Sequence, residues 1–202
     1  MHKIFFNNKC IELVGDSSDL VPGTMRIEYE NAHSFEYALE VLANRKDVTC
    51  IRIEHSNANI LLEKLLLKFK NILAAGGLAE NESGELLLIF RHNKWDLPKG
   101  KLKKKEDVPM GAIREVEEEC GVKNLSIVGT LNPTYHIYQL KEQLVIKKTF
   151  WFKMFCEKNQ VLTPQLDEGI TKVEWFKKQD LKTVYKNTYG SITQVLKEYM
   201  SN

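Results

Sequence analysis

The sequence has few cysteines, almost no net charge and no long apolar run. Its four cysteines form no CxxC pair, which argues against a structural zinc site and favours reduced, buried thiols. The formal net charge is only +2, so no global field points to nucleic acid as a partner. The leucine-rich residues 61–69 are interrupted by two lysines and are too short to span a bilayer. Because the N-terminus also lacks an apolar leader, we expect a cytoplasmic protein with no membrane contact.

The first seventy residues have the pattern of a small α/β domain. The spacing predicts two short strands over 3–14, a loop over 15–23 and a strand over 24–29. It then predicts a helix, a strand and a second helix, over 34–44, 48–54 and 57–69. We find no catalytic constellation in this segment. We therefore expect residues 1–70 to be an accessory domain, used for packing, partner contact or formation of a homodimer.

The most informative stretch is 100–122, GKLKKKEDVPMGAIREVEEECGV. Glu115, Glu118 and Glu119 would share one face of a helix, one turn apart, where three like charges repel. A hard cation explains the arrangement, because Mg²⁺ and Mn²⁺ prefer carboxylate oxygens. Taken alone, the acidic helix is better explained by a solvated surface, which is what most runs of glutamate are. Gly121 suits the left-handed position that follows a helix.

The whole stretch matches a longer pattern. It has a glycine, five residues, a glutamate, seven residues, Arg-Glu-Val, one residue, Glu-Glu, one residue and Gly-Val. This resembles the Nudix box at every defined position. The resemblance implies a loop–helix–loop that holds a divalent metal and hydrolyses nucleoside diphosphates linked to another moiety. It also implies a Nudix α/β/α sandwich with a mixed sheet over 71–202, preceded by the small α/β domain.

The resemblance also implies a set of metal ligands. Mg²⁺ or Mn²⁺ would be held by one backbone carbonyl and three carboxylates, those of Gly100, Glu115, Glu118 and Glu119. Bound metal would lower the pKa of a water and hold it for attack on phosphorus.

Further catalytic roles follow from the same likeness. Arg114 would orient the glutamates by a bidentate bond rather than touch the substrate. Glu118 and Glu115 are candidates for the general base. Glu168 is the downstream candidate for that base, and an exposed loop acid is an equally good interpretation of it. Glu106 would be structural.

The substrate is indicated by the entry to the box and by one aromatic residue. The segment WDLPKGK over 95–101 is similar to that of diadenosine polyphosphate hydrolases and of some MutT-like enzymes. Lys99 would bind phosphate, and Tyr138 would stack on a base or simply pack on the sheet. A dinucleoside polyphosphate is the predicted substrate. The alternatives are a MutT-like nucleoside triphosphate pyrophosphatase and a non-catalytic nucleotide sensor.

Overall fold

The computed structural model describes residues 1–15 and 24–201, so the predicted loop over 15–23 lies outside the described residues except for Gly15. The chain divides into two compact units. Unit 1 comprises Met1–Ile72 and Tyr135–Lys148, and unit 2 comprises Leu73–Thr134 and Thr149–Asn202. The first boundary lies close to the predicted one at residue 70, whereas the sequence predicts that residues 135–148 belong to the second domain. The division at 70 remains a prediction.

Unit 1 contains a mixed sheet with two helices on one face. Its strands are β1 (His2–Phe6), β2 (Lys9–Val14), β3 (Thr24–Glu28) and β4 (Cys50–Glu54), and its helices are α1 (His33–Asn44) and α2 (Ala58–Lys68). β1 pairs with β2 antiparallel, whereas β4 pairs with β2 and β3 in parallel. The structure therefore contains every strand and helix that the spacing predicts for this segment within the described residues.

The alternation of side chains along the strands explains how the helices are held. Ile11, Leu13 and Ile51 are fully buried in one cluster with residues of α1 and α2 such as Phe35 and Leu61. Each such side chain contributes about 1.5–3 kcal/mol through burial. Successive residues of a strand point to opposite faces, so the neighbours of these side chains in sequence occupy the other face of the sheet.

Unit 2 is a sheet with helices on both faces. The remaining strands are β5 (Lys70–Glu80), β6 (Leu86–Arg91), β7 (Lys94–Asp96), β8 (Lys99–Lys101), β9 (Ser126–Leu140), β10 (Gln143–Phe155) and β11 (Ile170–Phe176). Unit 2 contains β5 from Leu73 onward, β9 up to Thr134 and β10 from Thr149 onward. Its helices are α3 (Val108–Cys120), α4 (Leu181–Lys186) and α5 (Gly190–Ser201). The strand order is β11-β6-β5-β10-β9, with β7 beside β6 and β8 beside β5.

The two faces of this sheet are built from alternating residues of the same strands. In β6, Leu87 and Ile89 are buried in the cluster that contains α3. Leu86 and Leu88 are buried in the cluster that contains α4 and α5. The predicted α/β class and sandwich architecture are therefore confirmed. No helix in the described part of the chain is both long and apolar enough to cross a bilayer.

One strand differs from the prediction. The sequence suggests a break between 125–131 and 134–140, but β9 runs without interruption from Ser126 to Leu140. Pro133 lies within it. Proline cannot donate a ladder hydrogen bond, so it is tolerated where a strand has a neighbour on one side only. β9 is last in the strand order of unit 2, and its parallel pairing with β1 begins only at Tyr135.

Candidate active site

The site is organised by helix α3, whose ends are fixed by the sequence. The Asp107 side chain accepts a hydrogen bond from the backbone N–H of Met110, which caps the first turn. Gly121 ends the helix with φ at 77°, a left-handed value that costs glycine no Cβ clash. Ala112 and Val116 are buried against the sheet, so the acidic residues follow on the adjacent face.

Arg114 joins three carboxylates. Its Nε and Nη2 donate to the two oxygens of Glu106 at 2.6 and 2.9 Å, in a bidentate pair. Its Nη1 donates to Glu115 at 2.7 Å and to Glu118 at 2.8 Å. The guanidinium thus uses its fixed fork to hold three acidic side chains in one arrangement.

Glu106 acts as the anchor for this arginine. Besides the Arg114 pair, its Oε2 accepts a hydrogen bond of 2.7 Å from the backbone N–H of Lys103. The bond from Arg114 is the main reason that the pKa of Glu106 falls to about 2. Glu106 therefore stays ionised at neutral pH and holds Arg114 in place, and its structural role remains a prediction.

We expect Glu106→Gln to destabilise the protein at neutral pH and the loss to shrink in acid. The pKa of Glu106 falls from an ordinary 4.5 to about 2, so the unfolded chain binds this proton more readily than the folded one. Its stabilisation is present above about pH 4.5 and is lost as the pH falls toward about 2. Melting curves of both proteins across this range test the prediction, and a difference that stays constant with pH contradicts it.

Glu119 lies deepest in the cluster. Its side chain is 2% exposed, and its Oε2 accepts a hydrogen bond of 2.9 Å from the backbone N–H of Lys99. Burial raises the pKa of Glu119 to about 7, against the attraction of the lysine and of Arg91, whose Nη1 lies 3.8 Å away. The positive charge near this carboxylate is therefore too small to offset its desolvation. A bound cation would supply the missing charge.

Glu115 faces a glycine that cannot be replaced without a clash. A Cβ built on Gly100 would lie 1.8 Å from Oε2 of Glu115. Burial is the main cause of the raised pKa of Glu115, with Arg114 opposing it. Glu118 is more open, with 45% of its side chain exposed. Glu115 and Glu118 thus share Nη1 of Arg114, while Glu115 and Glu119 lie against the consecutive residues Gly100 and Lys99. Their hard oxygen donors fit a hard divalent cation.

Glu168 is connected to Glu119 by Arg91, which contacts both carboxylates. It ends a short 3-10 helix, Leu166–Glu168, and its Oε2 accepts a hydrogen bond of 2.8 Å from Nη2 of Arg91. The preceding loop is attached to the end of α3, since Thr163 donates its N–H to the carbonyl of Cys120 at 2.8 Å. Arg91 therefore lies between Glu168 and the buried Glu119.

The two predicted substrate-binding residues have different surroundings. The ammonium of Lys99 donates to Oδ2 of the buried Asp96 at 2.5 Å and to the carbonyl of Leu97 at 3.2 Å. Tyr138 belongs to unit 1, and its ring centroid lies 5.7 Å from that of His136. The roles of both residues in binding substrate remain predictions.

Two residues of the site were missed in the sequence. Arg91 follows Ile89 by two positions, and residues two apart on a strand point to the same face of the sheet. Because Ile89 packs in the cluster that contains α3, Arg91 is expected on the same face as that helix. Asp96 gives no such signal, because a buried carboxylate at the end of a short strand cannot be told from an exposed one in sequence.

The comparisons with known proteins agree with this geometry. The sequence model of the NUDIX domain family matches residues 70–196. The chain is similar to the structure of a C. elegans Ap4A hydrolase binary complex, with 22% identity, a TM-score of 0.50, and coverage of 64% of this chain and 96% of that one. It is also similar to a MutT protein from Bacillus halodurans, with 20% identity, a TM-score of 0.47, and coverage of 65% and 83%. Since the family match spans more than half of the chain and includes the complete box, the chain belongs to the NUDIX domain family and is a hydrolase acting on phosphoanhydride bonds.

Proposed function

We propose that this hydrolase cleaves a nucleoside diphosphate linked to another moiety and uses Mg²⁺ or Mn²⁺. Nudix hydrolases generally need divalent metal ions. The observation that carries the proposal is the cluster of Glu115, Glu118 and Glu119 beside Gly100, with Arg114 joined to two of its carboxylates. A non-catalytic sensor would be expected to lack one of these groups, and all of them are present.

The metal would be held by those three carboxylates and by the carbonyl of Gly100. When bound, it would lower the pKa of a water and offset the charge of the phosphates. Hydrogen bonds within the chain hold the three carboxylates in position. Arg114 fixes Glu115 and Glu118, and the N–H of Lys99 fixes Glu119.

For the general base, we propose Glu168, with Glu115 and Glu118 as the alternatives. The hydrogen bond from Arg91 supports Glu168, because that arginine also lies against Glu119. Glu168 keeps 52% of its side chain exposed, so a water can reach it. A base must lie within hydrogen-bond reach of the proton that it removes, directly or through one water.

For the substrate, we propose a dinucleoside polyphosphate. The segment over 95–101 resembles that of diadenosine polyphosphate hydrolases, and Lys99 offers positive charge beside the cluster. A lysine ammonium has three donor hydrogens. Asp96 and the carbonyl of Leu97 engage two of them in the described contacts, so one can bind a phosphate oxygen. The same segment also resembles MutT-like enzymes, which keeps a nucleoside triphosphate as the second candidate.

We expect asymmetric cleavage of a dinucleoside tetraphosphate. With the adenine compound, Mg²⁺ and heavy-oxygen water, the products should be AMP and ATP, with one of them carrying the label. Two ADP molecules would reject this cut. Brisk hydrolysis of nucleoside triphosphates without cleavage of dinucleoside polyphosphates would favour the MutT-like alternative and leave the family chemistry intact.

A variant of Tyr138 tests the substrate assignment in the same assay. If its ring stacks on a base, Tyr138→Ala should weaken binding by about 1–3 kcal/mol, seen as a raised KM for the dinucleotide. Turnover of shorter substrates should be unchanged. Tyr37→Ala is the matched control, since Tyr37 is a half-exposed tyrosine of helix α1. An equal change in both variants would contradict the role of Tyr138.

The remaining expectations concern the setting of the enzyme. We propose that residues 1–70 serve as an accessory domain and that a homodimer could form through it. We also propose a location in the cytoplasm. Sedimentation of the full chain decides the oligomeric state, and fractionation of cells decides the location.

A further inference from the structure

Two cysteines lie side by side in unit 1, on the face of the sheet opposite to α1 and α2. Cys10 of β2 and Cys50 of β4 are register partners in the parallel pair. Their Sγ atoms lie 2.9 Å apart. The two residues are 8% and 9% exposed, so they are buried without being sealed from small molecules.

The surroundings favour a reactive sulfur at Cys10. Phe5 packs with the two cysteines in a small apolar cluster. The hydrogen bond with Cys50 and the nearby Lys3 ammonium lower the pKa of the Cys10 thiol, whereas desolvation and the Glu12 carboxylate oppose the lowering. The same hydrogen bond raises the pKa of Cys50, so Cys50 keeps its proton. A thiol with a lowered pKa beside a cation and a second thiol is the usual setting of redox chemistry.

A metal site is the competing interpretation, because Glu12 also lies beside the two thiols. Its carboxylate is already engaged, by Lys3 at 3.1 Å and by Arg52 at 3.1 Å. Two thiolates on one tetrahedral zinc ion would lie about 3.8 Å apart, from Zn–S bonds of about 2.3 Å. The sulfur atoms here are closer than that, which favours a bond between them over a shared ion.

We propose that Cys10 and Cys50 are a reversible redox pair that a hydroperoxide converts into an intrachain disulfide. Neighbouring strands lie about 4.8 Å apart, within the Cα separation of about 4.4–6.8 Å that a disulfide bridges. The bond can therefore form without a shift of the backbone. It would tie β2 to β4 and close the loop over 10–50, which restricts the unfolded chain and stabilises unit 1.

The chemistry balances in two steps. The sulfur of Cys10 attacks the terminal oxygen of the hydroperoxide, and the O–O bond breaks. The leaving group takes up the thiol proton and departs as an alcohol, or as water when the oxidant is hydrogen peroxide, and Cys10 becomes a sulfenic acid. The sulfur of Cys50 then attacks the sulfur of Cys10, and the S–O bond of the sulfenic acid breaks. The departing hydroxyl group takes up the proton of the Cys50 thiol and leaves as water. Two thiols have lost two electrons, and one hydroperoxide has gained them.

The test uses the full chain, reduced and then exposed to a small excess of hydrogen peroxide. Thiols are counted after denaturation, and peptides are mapped without reduction. We expect two of the four thiols to disappear and one disulfide-linked peptide pair to join Cys10 with Cys50. Dithiothreitol should restore the two lost thiols. The oxidised protein should also melt at a higher temperature.

Matched variants assign the pair. Cys120→Ser and Cys156→Ser, which alter the two other buried cysteines, should leave the disulfide unchanged. Cys50→Ser should leave a sulfenic acid on Cys10 that a dimedone probe labels, because no second thiol remains to displace it. Retention of all four thiols, or a link between any other two cysteines, would overturn the proposal. The peptide map of the unaltered chain decides this even if a variant fails to fold.

Discussion

Glu119→Gln is expected to reduce kcat by at least about a hundredfold. The substitution removes the charge of a carboxylate that lies 2% exposed in the cluster, and a metal ligand is lost with it. Folding should survive, because the amide oxygen can still accept the hydrogen bond from the N–H of Lys99. A neutral group is also less costly to bury than the carboxylate whose pKa is raised to about 7. Steady-state kinetics at saturating Mg²⁺ and a melting curve measure the two effects separately.

Glu117→Gln is the matched control for this variant. Glu117 lies on the same helix, two residues away, and its backbone carbonyl accepts the N–H of Gly121. The charge of its side chain acts on the buried Cys156 thiol. The control variant should turn over substrate as the unaltered enzyme does. Near-normal kcat in the Glu119 variant would remove that residue from the proposed ligands. A collapse of its melting temperature would show that the carboxylate is needed for folding instead.

The helix of the site could be predicted because its signals are local. The one-turn spacing of the glutamates and the glycine at 121 act within a few residues of one another, and the helix ends where that glycine predicts. The close approach of Glu115 to Gly100 was not visible in the same way. It depends on the pairing of β8 with β5, which brings residues 99–101 against residues 74–76.

The unpredicted features depend on contacts that are distant in sequence. Tyr138 follows the last residue of the box by sixteen positions. It nevertheless belongs to unit 1, because the segment 135–148 is part of that unit and β9 pairs there with β1. Arg91 and Glu168 are 77 positions apart in the chain and meet only because β11 pairs with β6. No local periodicity contains such information, so sequence spacing identifies the residue types of the site but not which of them touch.

The charge of Lys99 shows a related limit. In sequence it is one of several lysines beside the box, and its position next to Gly100 favoured a role in phosphate binding. In the structure, its backbone N–H holds Glu119 while its ammonium meets the buried Asp96. One residue therefore serves two carboxylates through different atoms. A pattern of residue types cannot separate a backbone role from a side-chain role.

Arg114→Lys is expected to reduce kcat on the order of a hundredfold even though the positive charge is kept. The guanidinium donates to both oxygens of Glu106 and, through Nη1, to Glu115 and Glu118. A lysine ammonium is a compact charge at the end of a flexible chain and cannot reproduce that fork. Two carboxylates of the cluster would lose their fixed positions. Since a misplacement of about 1 Å can itself cost a hundredfold, turnover should fall more than stability does.

Arg26→Lys is the control for this substitution, because Arg26 also forms a bidentate pair, through Nε and Nη2, with Glu54 in unit 1. Both variants lose the same kind of fork, and only the Arg114 variant should lose kcat. The Arg114 variant should also need more Mg²⁺ for half-maximal activity, since its carboxylates must be ordered when the ion binds. Equal losses of kcat in both variants would show a general effect on folding. An unchanged Mg²⁺ requirement in the Arg114 variant would show that this arginine does not organise the ligands of the metal.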